Sequence, residues 1–327
     1  MRAILYDRFG PAADVLHLGE VDLHAPATGE VCVALEWSGV NPSDAKARAG
    51  SRPGVTKPPF AQVIPHSDGA GVIESVGPGV DPARVGQRVW IWNGQWQRAY
   101  GTAASHICLP DAQAVALPEG ISTQVGATLG IPGLTAAQTV FGGGDVSGQT
   151  LLISGGAGAV GHNAVQLAKW GGATVIATCS KGAMERVQAA GADHVLDYAA
   201  PDLAAQILSI SNGGVDRAVE VEFGVNAALL GEVMRPCGVI AAYGSGKDMT
   251  PTLPFGPYLF KALTLQITLI YILPEAQRSA AIQRLHGALT AGALTPEIHA
   301  TYDLAQCAAA QDAVMTPGRS GAVLLKI

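Results

Sequence analysis

Thr150–Gly161 reads TLLISGGAGAVG, and this stretch decides the fold. Thr150–Ser154 is a short apolar run of the kind that forms a buried parallel strand. Glycines follow at once. Val160, Ala164, Leu167 and Ala168 then recur at spacings that lay one apolar face along a helix. Gly156, Gly158 and Gly161 fit G-x-G-x-x-G, whose glycines make the tight turn, let backbone approach a pyrophosphate and let helix pack closely on strand. The first helical residues, Ala159 and Val160, offer unpaired N–H groups and a partial positive charge to the phosphates. Gly155-x-x-Gly158-x-x-Gly161 is an overlapping spacing in the same loop. In a chain with 41 glycines the pattern alone is weak. Its place between a strand and a helix makes it a dinucleotide site.

At 327 residues the chain is expected to form two domains, since single cores stop growing near ~250–300 residues. Hydrophobic residues make up 48% and charged residues 14%, the balance of a well-cored soluble protein. A net charge of −6 argues against nucleic acid or an acidic membrane surface as a partner. No apolar run reaches the roughly 18–20 residues of a membrane span. Met1–Gly10 lacks the features of a signal peptide, which points to the cytoplasm. Cys32, Cys108, Cys179, Cys237 and Cys307 are widely spaced and never form C-x-x-C, so they read as buried small hydrophobes.

Residues 1–120 read as short strands between Gly/Pro turns: Arg2–Asp7, Leu16–Val21, Glu30–Val40, Ala70–Val76, Arg88–Trp92 and Ser105–Leu109. That is a barrel-like β domain. From Leu151 strands and helices alternate, with strands at Ala173–Thr178, His194–Leu196, Val215–Val221 and Gly238–Tyr243. Such alternation predicts a doubly wound parallel sheet, an α/β fold. Leu263–Ile272 is apolar and β-branched, Ala276–Ala291 is helical, and Gly321–Ile327 is a last strand. The tail is expected to rejoin the β domain, with the cofactor domain inserted between.

Gly39-Val40-Asn41-Pro42-Ser43-Asp44, Ile64–Ile73 (IPHSDGAGVI), Gly77–Val80, Val85–Val89, Gly130–Ala136 and Val215–Glu220 lie in the order of a known pattern. With the glycine loop, they resemble the medium-chain dehydrogenase/reductase superfamily, and within it the quinone oxidoreductase, or zeta-crystallin, branch. The resemblance implies a GroES-like β domain over 1–123, a Rossmann domain over 124–265, and a segment 266–327 returning to the first. It also implies an active site in a cleft between domains, and homodimers or homotetramers.

Zinc-dependent relatives carry a cysteine where this chain has Asn41, and a His-Glu pair where it has Ser67-Asp68. Their structural-zinc lobe of cysteines is absent. Zinc prefers thiolate and imidazole, so no metal is expected. His66, one residue off the ligand position, reads as a packing or hydrogen-bonding residue. An NAD-specific site carries an acid about 20 residues past the glycines; here the sequence is Thr178-Cys179-Ser180-Lys181. Ser180 and Lys181 would welcome a 2′-phosphate, which favours NADPH. The resemblance adds Tyr198 near that phosphate, though it could equally be an exposed loop residue. It further implies cofactor contacts at Asn41, Thr135, Gly244, Ser245, Ile270, Tyr271, Ile272 and Arg319.

With no metal to polarise an acceptor, hydrogen-bond donors must meet the developing charge. Asn41 is the catalytic candidate, with Asp44 orienting neighbours or capping a turn. Trp90, Trp92, Trp96 and Tyr100 crowd into eleven residues. Trp92 and Trp96 could stack on a flat acceptor, or the cluster could fill a core. The expected activity is zinc-free reduction of a quinone by NADPH. The alternatives are reduction of α,β-unsaturated carbonyls, an alcohol dehydrogenase, and a non-catalytic cofactor-binding crystallin-like protein.

Overall fold

The computed structural model describes residues 1–51 and 54–327. The chain divides into two compact units, one of residues 1–131 and 296–327 and one of residues 132–295.

The second unit is built on a six-stranded parallel sheet. From edge to edge its strands are His194–Asp197, Thr174–Cys179, Thr150–Ile153, Val215–Glu220, Met234–Ala242 and Thr264–Ile267. Strand Thr150–Ile153 is first in sequence and central in space. The next two strands build outward to one side of it and the later three to the other. That reversal is the doubly wound arrangement the alternation predicts, and it puts a switch point beside the glycine loop. Leu151, Leu152 and Ile153 are at most 2% exposed because both sheet faces are covered. Each such side chain contributes about 1.5–3 kcal/mol by its burial. Helix Ala159–Trp170 follows the loop and stops where expected, with Gly171 N bonded to Leu167 O and Gly172 at φ +81°.

In the first unit, strand Glu30–Val40 is the centre of a mostly antiparallel sheet. It pairs with Asp68–Val76, His106–Pro110 and Ala322–Lys326. Alternate residues Val31, Val33 and Leu35 point into a core with Ile73, Val89, Ile91, Ile107 and Leu109. A second core joins Ile4, Leu5, Val40, Ala45 and Ile64 to Val323, Leu325 and helix Cys307–Met315. The last strand thus returns to the β unit. Helices Pro42–Arg48 and Cys307–Met315 and strand Ile298–Asp303 were not foreseen from the sequence.

The unit boundaries differ from the expected 1–123, 124–265 and 266–327. The return to the first unit begins at Pro296, some thirty residues later than 266. Helix Glu275–Thr290 is the reason, since it packs on Leu134–Phe141 inside the second unit. Gln138 Nε2 donates to Gln277 Oε1 at 3.1 Å, and the Arg284 guanidinium lies 4.7 Å from the Phe141 ring centre. The apolar run at 263–272 also splits, into strand Thr264–Ile267 and a 3-10 turn Ile270–Ile272. Among the described residues no helix is long and apolar enough to cross a membrane.

Candidate active site

In the first unit the polar centre is built where strand Glu30–Val40 ends. Asn41 is extended (φ −116°, ψ 155°) and caps helix Pro42–Arg48, whose first residue is the proline that a helix start tolerates. Asn41 N donates to Asp44 Oδ2 at 2.8 Å, which fixes the turn. Asn41 Nδ2 donates to Asp68 Oδ2 at 2.8 Å, and Ile131 N donates to the same oxygen at 2.9 Å. One amide hydrogen of Asn41 is therefore anchored, and the amide plane is held by a carboxylate across the sheet. Both sequence candidates, Asn41 and Asp44, are brought together here.

Asp68 is the member that sequence reading missed. It is fully buried, and its Oδ1 has no hydrogen-bond partner. Burial pushes its carboxyl up to about 7, against the opposing pull of the Ile131 and Asn41 donors. Asp44 is also raised well above the ordinary carboxylate range, first by burial and then by Asp68. Gly130 makes room for this carboxylate: a Cβ there would lie 2.1 Å from Asp68 Oδ1. The signal available in the sequence was Asp68 itself, at the position of a zinc-site acid.

His66 packs and hydrogen-bonds as expected. It is buried at φ +78°, with Ser38 Oγ 3.0 Å from Nδ1 and Gln311 Nε2 3.2 Å from Nε2. Burial pushes its imidazole down to about 3. Thr102 closes the set, sharing a hydroxyl–hydroxyl contact of 2.8 Å with Ser38 and donating to Asp68 O at 2.5 Å.

In the second unit the glycine loop leaves strand Thr150–Ile153 and enters helix Ala159–Trp170 with Gly158 as N-cap. The glycine at positive φ is Gly155 (+68°), so the turn belongs to it rather than to Gly156. A Cβ on Gly161 would lie 2.1 Å from Gly155 O, a backbone clash, whereas one on Gly158 would meet nothing closer than 3.6 Å. Gly161 thus packs helix on turn, and Gly158 leaves backbone open to an approaching group. The spacing Gly155-x-x-Gly158-x-x-Gly161 describes these roles best. The cradle fits a pyrophosphate.

Other predicted residues follow the carboxyl ends of neighbouring strands. Ser180 and Lys181 come after Thr174–Cys179, and Tyr198 after His194–Asp197. Lys181 extends into solvent with its side chain 85% exposed, and Tyr198 is 59% exposed. Asp197 Oδ2 stands 3.9 Å from Lys181 Nζ, a carboxylate that the linear order hid. Gly244 follows Met234–Ala242; a Cβ there would lie 2.4 Å from Val221 O. The Ser245 hydroxyl is used locally, accepting from Gly224 N at 2.8 Å and donating to Asp248 O. The same strand ends carry a network not foreseen. Ser154 Oγ donates to Glu220 Oε1 at 3.1 Å, and Asn226 Nδ2 bonds both Glu220 oxygens at 3.1 Å.

Thr135 is buried in helix Leu134–Phe141. Ile270 is buried with its carbonyl taken by Arg278, while Ile272 is 64% exposed and Tyr271 lies between them. Arg319 belongs to the first unit, where its guanidinium bonds the Val314 and Gly321 carbonyls and so closes a helix end. That local use contrasts with the expected cofactor contact. Of the aromatics, Trp90 is fully buried in the β unit. Trp92 Nε1 donates to Ala112 O at 3.2 Å. Trp96 lines a surface cavity of about 400 Å³ with Tyr6, Phe9, Val55, Pro59 and Phe60. Trp92 does not line it.

The donor set at Asn41, Ser67 and Asp68 is an amide, a hydroxyl and a carboxylate already bonded to Asn41 and Ile131. It does not fit a borderline-soft metal. Among the described residues no group of three or more His, Cys, Asp or Glu is placed to hold a metal ion.

Two family models match, the alcohol dehydrogenase GroES-like domain over residues 27–119 and zinc-binding dehydrogenase over 159–286. A chloroplast envelope quinone oxidoreductase homolog of Arabidopsis thaliana is 31% identical over 292 residues, 85% of this chain and 84% of that protein. The human synaptic vesicle membrane protein VAT-1 homolog is 31% identical over 230 residues, 69% of this chain. The chain spans little more than half of that protein, 56%. Among solved structures, an NAD-dependent alcohol dehydrogenase superposes with TM-score 0.88 at 26% identity, covering both chains fully. A mycobacterial protein solved with NADPH superposes with TM-score 0.86 at 25% identity, also over both whole chains.

Proposed function

As the chain belongs to the medium-chain dehydrogenase/reductase superfamily, in its quinone oxidoreductase-like branch, we propose that it is a zinc-independent, NADPH-dependent reductase acting on a quinone. One observation carries the proposal. Where zinc-dependent members hold a thiolate, this chain presents an amide anchored at 2.8 Å to a buried carboxylate. Such an amide cannot act as a soft ligand. It can donate a hydrogen bond to an oxygen gaining negative charge.

The chain's residues divide the work. Gly155–Gly161 and the start of helix Ala159–Trp170 hold the pyrophosphate. Ser180 and Lys181 receive the 2′-phosphate, with Tyr198 beside it. Thr135, Gly244, Ser245 and the Ile270–Ile272 segment complete the cradle within the second unit. Bound NADPH supplies the hydride. Asn41 directs its second amide hydrogen to the acceptor oxygen, and no reorganisation is needed because Asp68 and Asp44 already fix it. The Trp96 cavity, walled by Phe9 and Phe60, suits a flat apolar ring. A homodimer belongs to the same proposal. Its support is edge strand Thr264–Ile267 and the exposed Phe255, Phe260 and Ile267, the last two 88% and 68% exposed.

NADPH and NADH consumption against benzoquinones, naphthoquinones and enones tests the reading. The expectation is quinone turnover with NADPH preferred. The Asp197 carboxylate beside Lys181 is the feature that an NADH preference would point to. Turnover of enones alone would move the assignment to the enone reductases.

A further inference from the structure

Two cysteines that are 76 positions apart meet in the β unit. Strand Glu30–Val40 runs antiparallel to His106–Pro110, in a register that sets Cys32 directly opposite Cys108. The flanking hydrogen bonds define the kind of pair. Asp111 N donates to Gly29 O at 3.0 Å, and Leu35 N donates to Ser105 O at 2.9 Å. Hydrogen-bonded and non-hydrogen-bonded pairs alternate along an antiparallel ladder. Pairs 29/111 and 35/105 are hydrogen-bonded, so 32/108 falls on a non-hydrogen-bonded site. There the Cα atoms approach to about 4.5 Å with both side chains on one face. A disulfide spans about 4.4–6.8 Å between Cα atoms.

The pair faces away from the core that Val31, Val33, Leu35, Ile107 and Leu109 fill. Cys32 is buried at 2% exposure, and Cys108 is only partly buried, its thiol within 3.2 Å of His24 O. The neighbouring Cys108 thiol pulls that of Cys32 down, and Cys32 in turn pushes that of Cys108 up, so the first proton leaves Cys32 and the second is held back. A thiolate, a neighbouring resolving thiol and a path to solvent are the requirements of a redox-sensitive site.

We propose that Cys32 and Cys108 form a reversible disulfide, closed by a hydroperoxide and reopened by small thiols. The Cys32 thiolate attacks one peroxide oxygen, the O–O bond breaks, and the departing hydroxide takes a proton to leave as water. Cys32 is then a sulfenic acid. The Cys108 sulfur attacks it, the S–O bond breaks, and hydroxide leaves with the Cys108 proton as a second water. Two thiols and one hydrogen peroxide become one disulfide and two waters, sulfur losing the two electrons that peroxide gains. The bond would tie the two strands and close a covalent ring over the stretch of chain 32–108, which carries Asn41, Asp44 and Asp68.

The test uses the full chain carrying Cys237→Ser, which removes the exposed thiol of the five free cysteines and leaves four. The folded protein is treated with equimolar hydrogen peroxide, then denatured, alkylated and digested. The expected result is a Cys32–Cys108 linked peptide, a fall in thiols from four to two per chain, and full recovery with dithiothreitol. The linked peptide disappears when Cys108→Ser is added, a change at a partly exposed site that preserves the fold. Four thiols remaining, or sulfinic acid at either cysteine with its partner still alkylated, would overturn the proposal.

Discussion

Replacing Asp68 by Asn keeps the shape of the side chain and removes its ionisation. The amide oxygen can accept from Asn41 and Ile131 as Oδ2 does now. Burial raises the Asp68 carboxyl from 3.8 to about 7 in the folded protein. A folded-state value above the unfolded one means that the native protein holds the proton more tightly. The associated stability is complete below pH 4 and drains away as pH rises to about 7. The gap of about three pH units is worth on the order of 4 kcal/mol. The neighbouring His66 works the other way. Its depressed value, about 3, costs stability as pH falls below 6.5. The two trends oppose each other in the wild-type curve, but His66 is common to wild type and variant and cancels in their difference. Asp44, raised in part by Asp68, relaxes in the variant and reinforces the trend. Between pH 5 and pH 8 the Asp68→Asn protein should therefore gain about 3 kcal/mol relative to wild type. Urea titration followed by tryptophan fluorescence measures this, because Trp37, Trp90, Trp92 and Trp96 share the unit of Asp68. An equal difference at pH 5 and pH 8 would show that Asp68 titrates as an ordinary carboxylate, and the argument from burial would fail.

Gly161→Ala places a Cβ 2.1 Å from Gly155 O; it should destabilise the second unit by roughly 1–3 kcal/mol and abolish NADPH binding by fluorescence titration. Wild-type affinity would remove the loop from the cofactor site. Lys181→Ala should raise KM for NADPH roughly tenfold, the worth of one charge-assisted hydrogen bond, and leave KM for NADH unchanged. Equal effects on both would place the 2′-phosphate elsewhere. Trp96→Ala opens the aromatic cavity and should raise KM for naphthoquinones roughly three- to tenfold with little change in kcat. Unaltered kinetics would assign the cavity another role.

The fold was legible because two periodicities carry it. The alternation after Leu151 and the glycine spacing specify a doubly wound parallel sheet from local pattern alone. Strand Glu30–Val40 is a run of β-branched and apolar residues that reads as it folds. Helix Glu275–Thr290 was legible as a helix but not as part of the second unit, because its attachment depends on pairings such as Gln138 with Gln277 and Arg284 with Phe141. Asn41 and Asp44 are three residues apart and could be seen as a local turn. Asp68 joins them only through the pairing of two strands, which sets it opposite Gly39. The same holds for Asp197 beside Lys181, and for Cys32 opposite Cys108, where register rather than spacing makes the contact.

The proposed zinc-free hydride transfer to a quinone, at a site whose anchored amide stands where zinc-dependent relatives hold a metal ligand, is tested by the rate of NADPH oxidation by benzoquinone after exhaustive chelation, with zinc measured in the same sample. Full turnover in protein holding far less than one zinc per chain is the predicted result. Loss of turnover on chelation, restored by adding zinc, would contradict it.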